Sequence, residues 1–173
     1  MGALCEEVIA LASKALTEAD PELAKRVAPL DAEIDQKERN IESLCLKLLL
    51  QQQPVARDLR QISAALKMIT DMERIGDQAE DIAEIVAFLD GRQAENDALL
   101  KEMAKAVIQM VTESVDAYVK CDIMLAKKVI AADDVVDEQF ARVKQSLIGK
   151  IAADPADGEY ALDPVSYTHL RAH

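Results

Sequence analysis

The sequence has few of the residues from which β-proteins are usually built. Aromatic residues make up 3% of the 173 residues, and tryptophan is absent. Five glycines and five prolines leave little turn material for a fold of many short strands. Half of the residues are hydrophobic, and most of these are aliphatic. The composition therefore predicts an all-α protein with a core of Leu, Ile, Val, Ala and Met.

Cysteine and histidine are also scarce. Cys5, Cys45 and Cys121 are odd in number and lack C-x-x-C spacing, which predicts buried thiols in a reducing compartment. His169 and His173 both lie in the last eight residues, so the helical part has no histidine base and no Glu-x-x-His metal pair. A glycine-rich phosphate loop is missing as well. We therefore expect no enzymatic activity.

Positive charge and long apolar runs are in short supply. Twenty Lys and Arg stand against 32 Asp and Glu, which gives a net charge of −12. This balance argues against binding to nucleic acid or to an anionic membrane surface, and favours cations or a basic protein surface. Surplus acid that only keeps the protein in solution is the competing explanation. No run is long enough to insert into a membrane, and no secretion signal opens the chain, so we expect a cytoplasmic protein.

The chain contains an internal repeat. When it is shifted by 102 residues, Ala15 aligns with Ala117, Asp20 with Asp122, and Leu23-Ala24-Lys25 with Leu125-Ala126-Lys127. A period of this length indicates two copies of one supersecondary unit. Apolar periodicity predicts three helices and then two: about 4–18, 21–50, 54–89, 95–118 and 122–153. Pro29 should kink or split the second helix just before Asp31, and short connections should make sequential helices antiparallel.

The repeat carries Asp-x-x-x-Asp in both copies, as Asp31/Asp35 and Asp133/Asp137. One such pair is weak evidence, because about six carboxylate pairs at this spacing are expected by chance. The third helix gives a stronger signal. Its stripe of Leu59, Ile62, Leu66 and Ile69 continues as Glu73, Asp77, Glu80 and Glu84.

The second and third helices should bring two of these acidic pairs together. The turn near Gln53 is about equally far along the chain from Asp31/Asp35 and from Glu73/Asp77. An antiparallel hairpin would therefore place four carboxylates opposite one another, as a hard-oxygen site for magnesium, calcium, manganese or iron. Salt bridges to Arg60 and Arg74 would satisfy the same acids without a metal.

Two sequence strings resemble the PhoU family, whose members regulate bacterial phosphate uptake and phosphate signalling. The strings are QQPVARDLR, from Gln52 to Arg60, and DMERIGD, from Asp71 to Asp77, followed by Asp81-Ile82-Ala83-Glu84. The resemblance extends from Leu4 to about Asp163. It implies two tandem antiparallel three-helix bundles, usually in a homodimer, and multinuclear metal clusters of iron, manganese or zinc, with magnesium as a further candidate. By the family pattern, Asp31, Asp35, Glu73 and Asp77 would serve one cluster, and Asp133 and Asp137 a second.

The resemblance also implies a cytoplasmic adaptor. Such a protein links the ATPase subunit of a phosphate ABC transporter to a phosphate-sensing histidine kinase and keeps the phosphate-starvation response off. The first repeat is predicted at 1–92 and the second at 93–165, where it would lack its third helix. Met1 would fall inside the family's first helix, and 166–173 reads as a non-native tail.

Three other functions stay open from the sequence. The first is a helical carboxylate protein that uses or stores metal. The second is an accessory protein of another phosphate permease. The third is a plain interaction bundle whose acids are solvated or paired with basic residues.

Overall fold

A computed structural model describes residues 1–52, 54–86 and 97–153. Within those ranges every regular element is an α-helix, which confirms the predicted fold class. The helices are α1 (Gly2–Glu18), α2 (Pro21–Ala24), α3 (Val27–Gln52), α4 (Ala56–Val86), α5 (Asp97–Lys120) and α6 (Ile123–Ala153). The predicted boundary between 92 and 93, the turn residue Gln53 and the predicted tail 166–173 lie outside the described residues.

The turns that follow α1 and α5 are built alike, as the repeat predicts. Ala19 and Cys121, which are equivalent in the repeat, adopt left-handed backbone conformations with φ of 49° and 52°. The next residue caps the following helix in both copies. Asp20 Oδ1 accepts hydrogen bonds from the backbone N–H groups of residues 22 and 23, at 2.8 and 3.3 Å. Asp122 Oδ1 accepts the equivalent pair at 2.9 and 3.0 Å, so each aspartate satisfies two N–H groups that the helix leaves unpaired.

The helix break near Pro29 lies earlier than predicted. The chain leaves the helical path at Lys25 and Arg26, and Pro29 sits in the first turn of α3. A proline clashes with the carbonyl group four residues before it, which here belongs to Lys25. In the first helical turn its missing N–H costs nothing, because that group would have no partner in the helix. The break therefore precedes the proline, and Asp31 follows it on unbroken helix.

Helices α1, α3 and α4 pack as one bundle. The thiol of Cys5 on α1 donates a hydrogen bond to the carbonyl oxygen of Met72 on α4, at 3.6 Å. Helix α4 runs antiparallel to α3, because Glu80 lies near Asp31 whereas Glu73, earlier in α4, lies near Asp35 and Glu38, later in α3. The face of α4 that carries Met72, Ala79 and Val86 is buried. Leu59, at the start of the predicted apolar stripe, is instead 49% exposed, because the first turns of α4 extend past the end of α1.

Helix α1 also packs antiparallel against α5, which joins the two repeats. The Thr112 hydroxyl donates a hydrogen bond to Glu6 Oε1 at 2.8 Å. A side chain on Gly2 would lie 3.2 Å from Val115. In both contacts the two residue numbers add up to about 117, as expected for antiparallel helices, in which one number rises as the other falls. The pairing continues to the far end of α1, where Leu16 and Leu100 share one buried cluster.

Two buried clusters run through the bundle, and both include residues of α1. One contains residues of α1, α3 and α4, with Val111 and Val115 of α5 packed against it. The other joins Ala15 and Leu16 to Val86, Leu100 and Val143, and so extends from α1 to α6. Among the described helices, none is long and apolar enough to cross a membrane.

Candidate metal centre

Three carboxylates meet where α3 and α4 face each other. Asp31 and Asp35 are one turn apart on α3, and Asp77 approaches from α4. One oxygen atom from each lies within 4.8 Å of the other two. This is the convergence that the antiparallel hairpin predicts, because residues at equal distances from the turn become neighbours.

Asp31 is the buried member of the group. Its residue surface is 8% exposed, and within the described residues its buried Oδ1 has no hydrogen-bond partner. Burial, followed by the charges of Glu80, Asp35, Asp77 and Glu73, raises the pKa of Asp31 from 3.8 to about 6. A buried oxygen of this kind is costly unless a proton or a cation accompanies it.

Glu73 adjoins the three carboxylates without belonging to the closest group. Burial raises the pKa of Glu73, and the charges of Asp77, Asp35 and Glu38 add to the rise, while Arg74 lowers it. Glu73 therefore feels the same negative field as Asp31. Its position is that of a fourth carboxylate at the edge of the site.

Basic residues offset part of this negative charge. Arg39 pairs with Asp35 at 3.4 Å along the exposed side of α3, and Arg74 lies close enough to Glu73 to affect its pKa. Arg60, which the sequence offered as a further salt-bridge partner, lines a separate groove with Tyr118 and Cys121. The salt bridges therefore reach the rim of the site, and no basic group among the described residues bonds to Asp31 Oδ1.

The carboxylate group fits a hard cation. Oxygen ligands of magnesium, calcium and similar ions lie about 2.0–2.6 Å from the metal, so oxygens on opposite sides are roughly 4–5 Å apart. The spacing of the three aspartate oxygens, within 4.8 Å, satisfies this requirement. An ion at this position would join α3 to α4 and would offset the charge of the buried Asp31 carboxylate.

The second predicted pair is arranged differently. Asp133 is exposed and Asp137 is half-buried, and both lie on α6. Asp133 lines a cavity of about 470 Å³ that runs between α1, α4, α5 and α6. Within the described ranges, neither residue belongs to a group of three carboxylates close enough to share an ion. A second metal site at these residues stays a prediction.

Two residues near the site were missed by the sequence reasoning. Glu38 contributes to the field at Glu73, and Gly76 lies directly against Asp31. Glu38 follows Asp35 by one helical turn, so its spacing could have identified it. Gly76 could have been identified from its position inside a 31-residue helix. Glycine is unfavourable in a helix interior, so its presence there indicates a close contact.

A family comparison matches most of the chain. The family described as PhoU domain matches residues 1–86 and 100–169. A relative from Aquifex aeolicus, described as "Phosphate-specific transport system accessory protein PhoU homolog", is 37% identical over 94% of this chain and 74% of its own length. A relative from Pseudomonas aeruginosa with the same description is 35% identical over 90% of this chain. The chain spans 65% of that second relative.

Solved structures of the same family have the same fold. The crystal structure of PhoU from Pseudomonas aeruginosa superimposes with a TM-score of 0.90 at 33% identity, covering 99% of this chain and 82% of that one. The PhoU structure from Streptococcus pneumoniae, described as a phosphate transport system regulatory protein, gives a TM-score of 0.85 at 26% identity with the same coverage.

Proposed function

The chain belongs to the PhoU family, and from this membership we propose that it is a negative regulator of phosphate uptake and of phosphate-starvation signalling. The observation that carries the proposal is the identity of 37% over 94% of the chain with a phosphate-specific transport system accessory protein. The protein would act without catalysis, as a cytoplasmic adaptor and usually as a homodimer. Its partners would be the ATPase subunit of a phosphate ABC transporter and a phosphate-sensing histidine kinase.

The regulatory proposal is tested by deleting the gene that encodes the chain. A reporter fused to a phosphate-starvation promoter should become active in phosphate-rich medium, because the signal that keeps the kinase inactive would be lost. Reintroducing the gene should silence the reporter again. Normal repression in the deletion strain would show that the protein serves another function, for which an accessory role at a different phosphate permease is the alternative.

We also propose that the carboxylates of α3 and α4 bind a metal ion or a multinuclear cluster. Asp31, Asp35 and Asp77 would supply the closest oxygens, and Glu73 a further one. The candidates are iron, manganese, zinc and magnesium. Carboxylate oxygen suits the harder of these ions best. A bound ion would supply positive charge that holds two mutually repelling helices together. Asp31 would contribute the buried ligand, and Asp35 and Asp77 would close the site from the two helices.

Metal content measured by mass spectrometry tests this site. The purified protein should hold metal that the double variant Glu73→Gln/Asp77→Asn loses. The control variant Glu22→Gln/Asp116→Asn removes the same charge from exposed positions paired with Lys25 and Lys120, and it should keep the metal. Equal metal content in all three proteins would place the ion elsewhere.

Absence of metal from all three proteins would favour the plain interaction bundle, in which basic residues and water balance the acids. A helical metal store is the remaining alternative, favoured by the three clustered aspartates. Purified protein that binds iron at a fixed ratio, and neither accumulates it nor reacts with oxygen, would dismiss that alternative.

A further inference from the structure

Gly76 marks the closest approach of α4 to the Asp31 carboxylate. A Cβ atom built on Gly76 would overlap Asp31 Oδ1 and would lie 3.3 Å from Ile34 Cδ1. Real Cβ atoms do not approach an oxygen so closely, so either the carboxylate or the helix would have to move. The glycine therefore leaves a recess on α4 into which the Asp31 carboxylate fits.

The recess is not needed for the backbone of α4. Gly76 lies inside a continuous helix, and its φ is not in the left-handed region, so any L-residue could adopt its conformation. Glycine is among the least favourable residues in a helix interior. The property that glycine supplies at this position is the absence of a side chain.

The surroundings of the recess leave the carboxylate little freedom to yield. Ile34, one turn after Asp31, is fully buried and borders the same recess. Asp31 itself is 8% exposed. A methyl group at residue 76 would therefore displace the carboxylate from its position beside Asp35 and Asp77, because the neighbouring core is close-packed.

We propose that Gly76 is a positioning residue of the carboxylate group: its missing side chain forms the recess that holds the Asp31 carboxylate beside Asp35 and Asp77. The inference rests on the proposed metal site for its consequence in binding. The recess itself rests on packing alone, so the two can be tested separately. Any side chain at residue 76 would disturb the group without removing a carboxylate.

Manganese binding measured by titration calorimetry is the first test. The variant Gly76→Ala should raise the dissociation constant for Mn²⁺ at least tenfold. The matched control is Gly149→Ala in α6, where a Cβ atom meets nothing within 4 Å, and it should leave the constant unchanged. A second control, Val143→Ala, lowers stability away from the site and should also keep the affinity. An unchanged affinity in Gly76→Ala would overturn the proposal.

A thermal-unfolding cycle on metal-free protein is the second test, and it does not depend on binding. With Asp31 present, Gly76→Ala should lower the melting temperature. In the Asp31→Ala background, where the carboxylate is absent, the same change should raise it through better helix propensity. If Gly76→Ala changed the melting temperature in the same direction in both backgrounds, the proposed role of the recess would be wrong. Wild-type protein that binds no Mn²⁺ while the cycle changes sign would reject the metal site and keep the role of Gly76.

Discussion

At the scale of single residues, Asp31 combines burial with an oxygen atom that has no hydrogen-bond partner among the described residues. Other carboxylates surround it on both helices, so its charge is opposed by desolvation and by repulsion together. Burying an ionised carboxylate is favourable only with a compensating positive charge. The residue therefore makes the region around it sensitive to protons and cations.

A pH dependence of stability follows for metal-free protein. The pKa of Asp31 is about 6 in the folded state and 3.8 ordinarily, so the folded protein keeps a proton that the unfolded chain releases. The resulting stabilisation is fully present below about pH 4 and is lost as the pH rises through 6, by about 2–3 kcal/mol.

Denaturant unfolding between pH 4 and 7, with a chelator present, measures this loss. The variant Asp31→Asn should remove most of it, whereas Asp134→Asn, at an exposed position on α6, should leave it unchanged. A wild-type profile that stays flat over this range would contradict the burial of a charged carboxylate.

Substitutions at the two residues with left-handed backbone conformations should raise the free energy of unfolding. Ala19 and Cys121 have φ of 49° and 52°, and this conformation is strained for residues with a Cβ atom. Ala19→Gly and Cys121→Gly should each raise the free energy of unfolding by about 0.5–1 kcal/mol, since the relieved strain exceeds the added chain entropy. The control Ala10→Gly, at an exposed position within α1, should lower it by about 1 kcal/mol. Equilibrium urea unfolding measures all three.

At the scale of helices, much of the structure follows from local signals. Asp20 and Pro21 fix the start of α2, and Asp122 fixes the start of α6, because a cap and a proline satisfy the first turn without help from the core. The sequence predicts the break too late, just before Asp31, because the apolar period continues through Lys25 and Arg26. The break depends on a clash between Pro29 and a carbonyl group, which periodicity does not reveal.

The candidate site could be predicted only in part, for a related reason. Counting residues from the turn predicts that Asp31, Asp35 and Asp77 lie close together. This count needs no knowledge of packing. The burial of Asp31 and the recess at Gly76 depend on how closely α3 and α4 approach. That distance is set by three-dimensional packing, and a single sequence contains no measure of it.

The equivalent caps allow a test of the repeat at the level of helices. Asp20→Ala and Asp122→Ala should each lower the free energy of unfolding by about 1 kcal/mol, since each leaves two N–H groups without their acceptor. The two losses should add within about 0.5 kcal/mol, because each cap follows the C-terminal end of its helix, and the antiparallel packing of α1 and α5 keeps those two ends apart. Asp→Asn at either position should retain most of the stability. Chemical denaturation of the single and double variants measures these values. If the loss in the double variant differed strongly from the sum of the single losses, the two caps would be energetically coupled.

At the scale of the whole molecule, α1 contributes to the interior of both repeats. It packs against α3 and α4 on one side and against α5 on the other, and its residues enter both buried clusters. The repeats therefore share their interior, and neither can lose its core without exposing part of the other. Such an arrangement favours a single cooperative unfolding unit.

Calorimetry should therefore show one unfolding transition for the metal-free protein. Ile34→Ala in the first repeat should lower its midpoint through a loss of about 2–5 kcal/mol. Val143→Ala in the second repeat should shift the same transition by a smaller amount, because fewer buried atoms are removed. Two separate transitions, each shifted by only one of the variants, would show that the repeats unfold independently.

The pairing of α1 with α5 has a consequence for the origin of the chain. Contacting residues have numbers that add up to about 117, and equivalent residues are 102 apart. Exchanging the two repeats therefore maps the contact onto itself, about a pseudo-twofold axis that passes close to Val8 and Met110. This is the isologous geometry of a symmetric dimer. It is the arrangement expected if a gene for a self-pairing helical protein was duplicated and fused, so that a contact between two molecules became a contact within one.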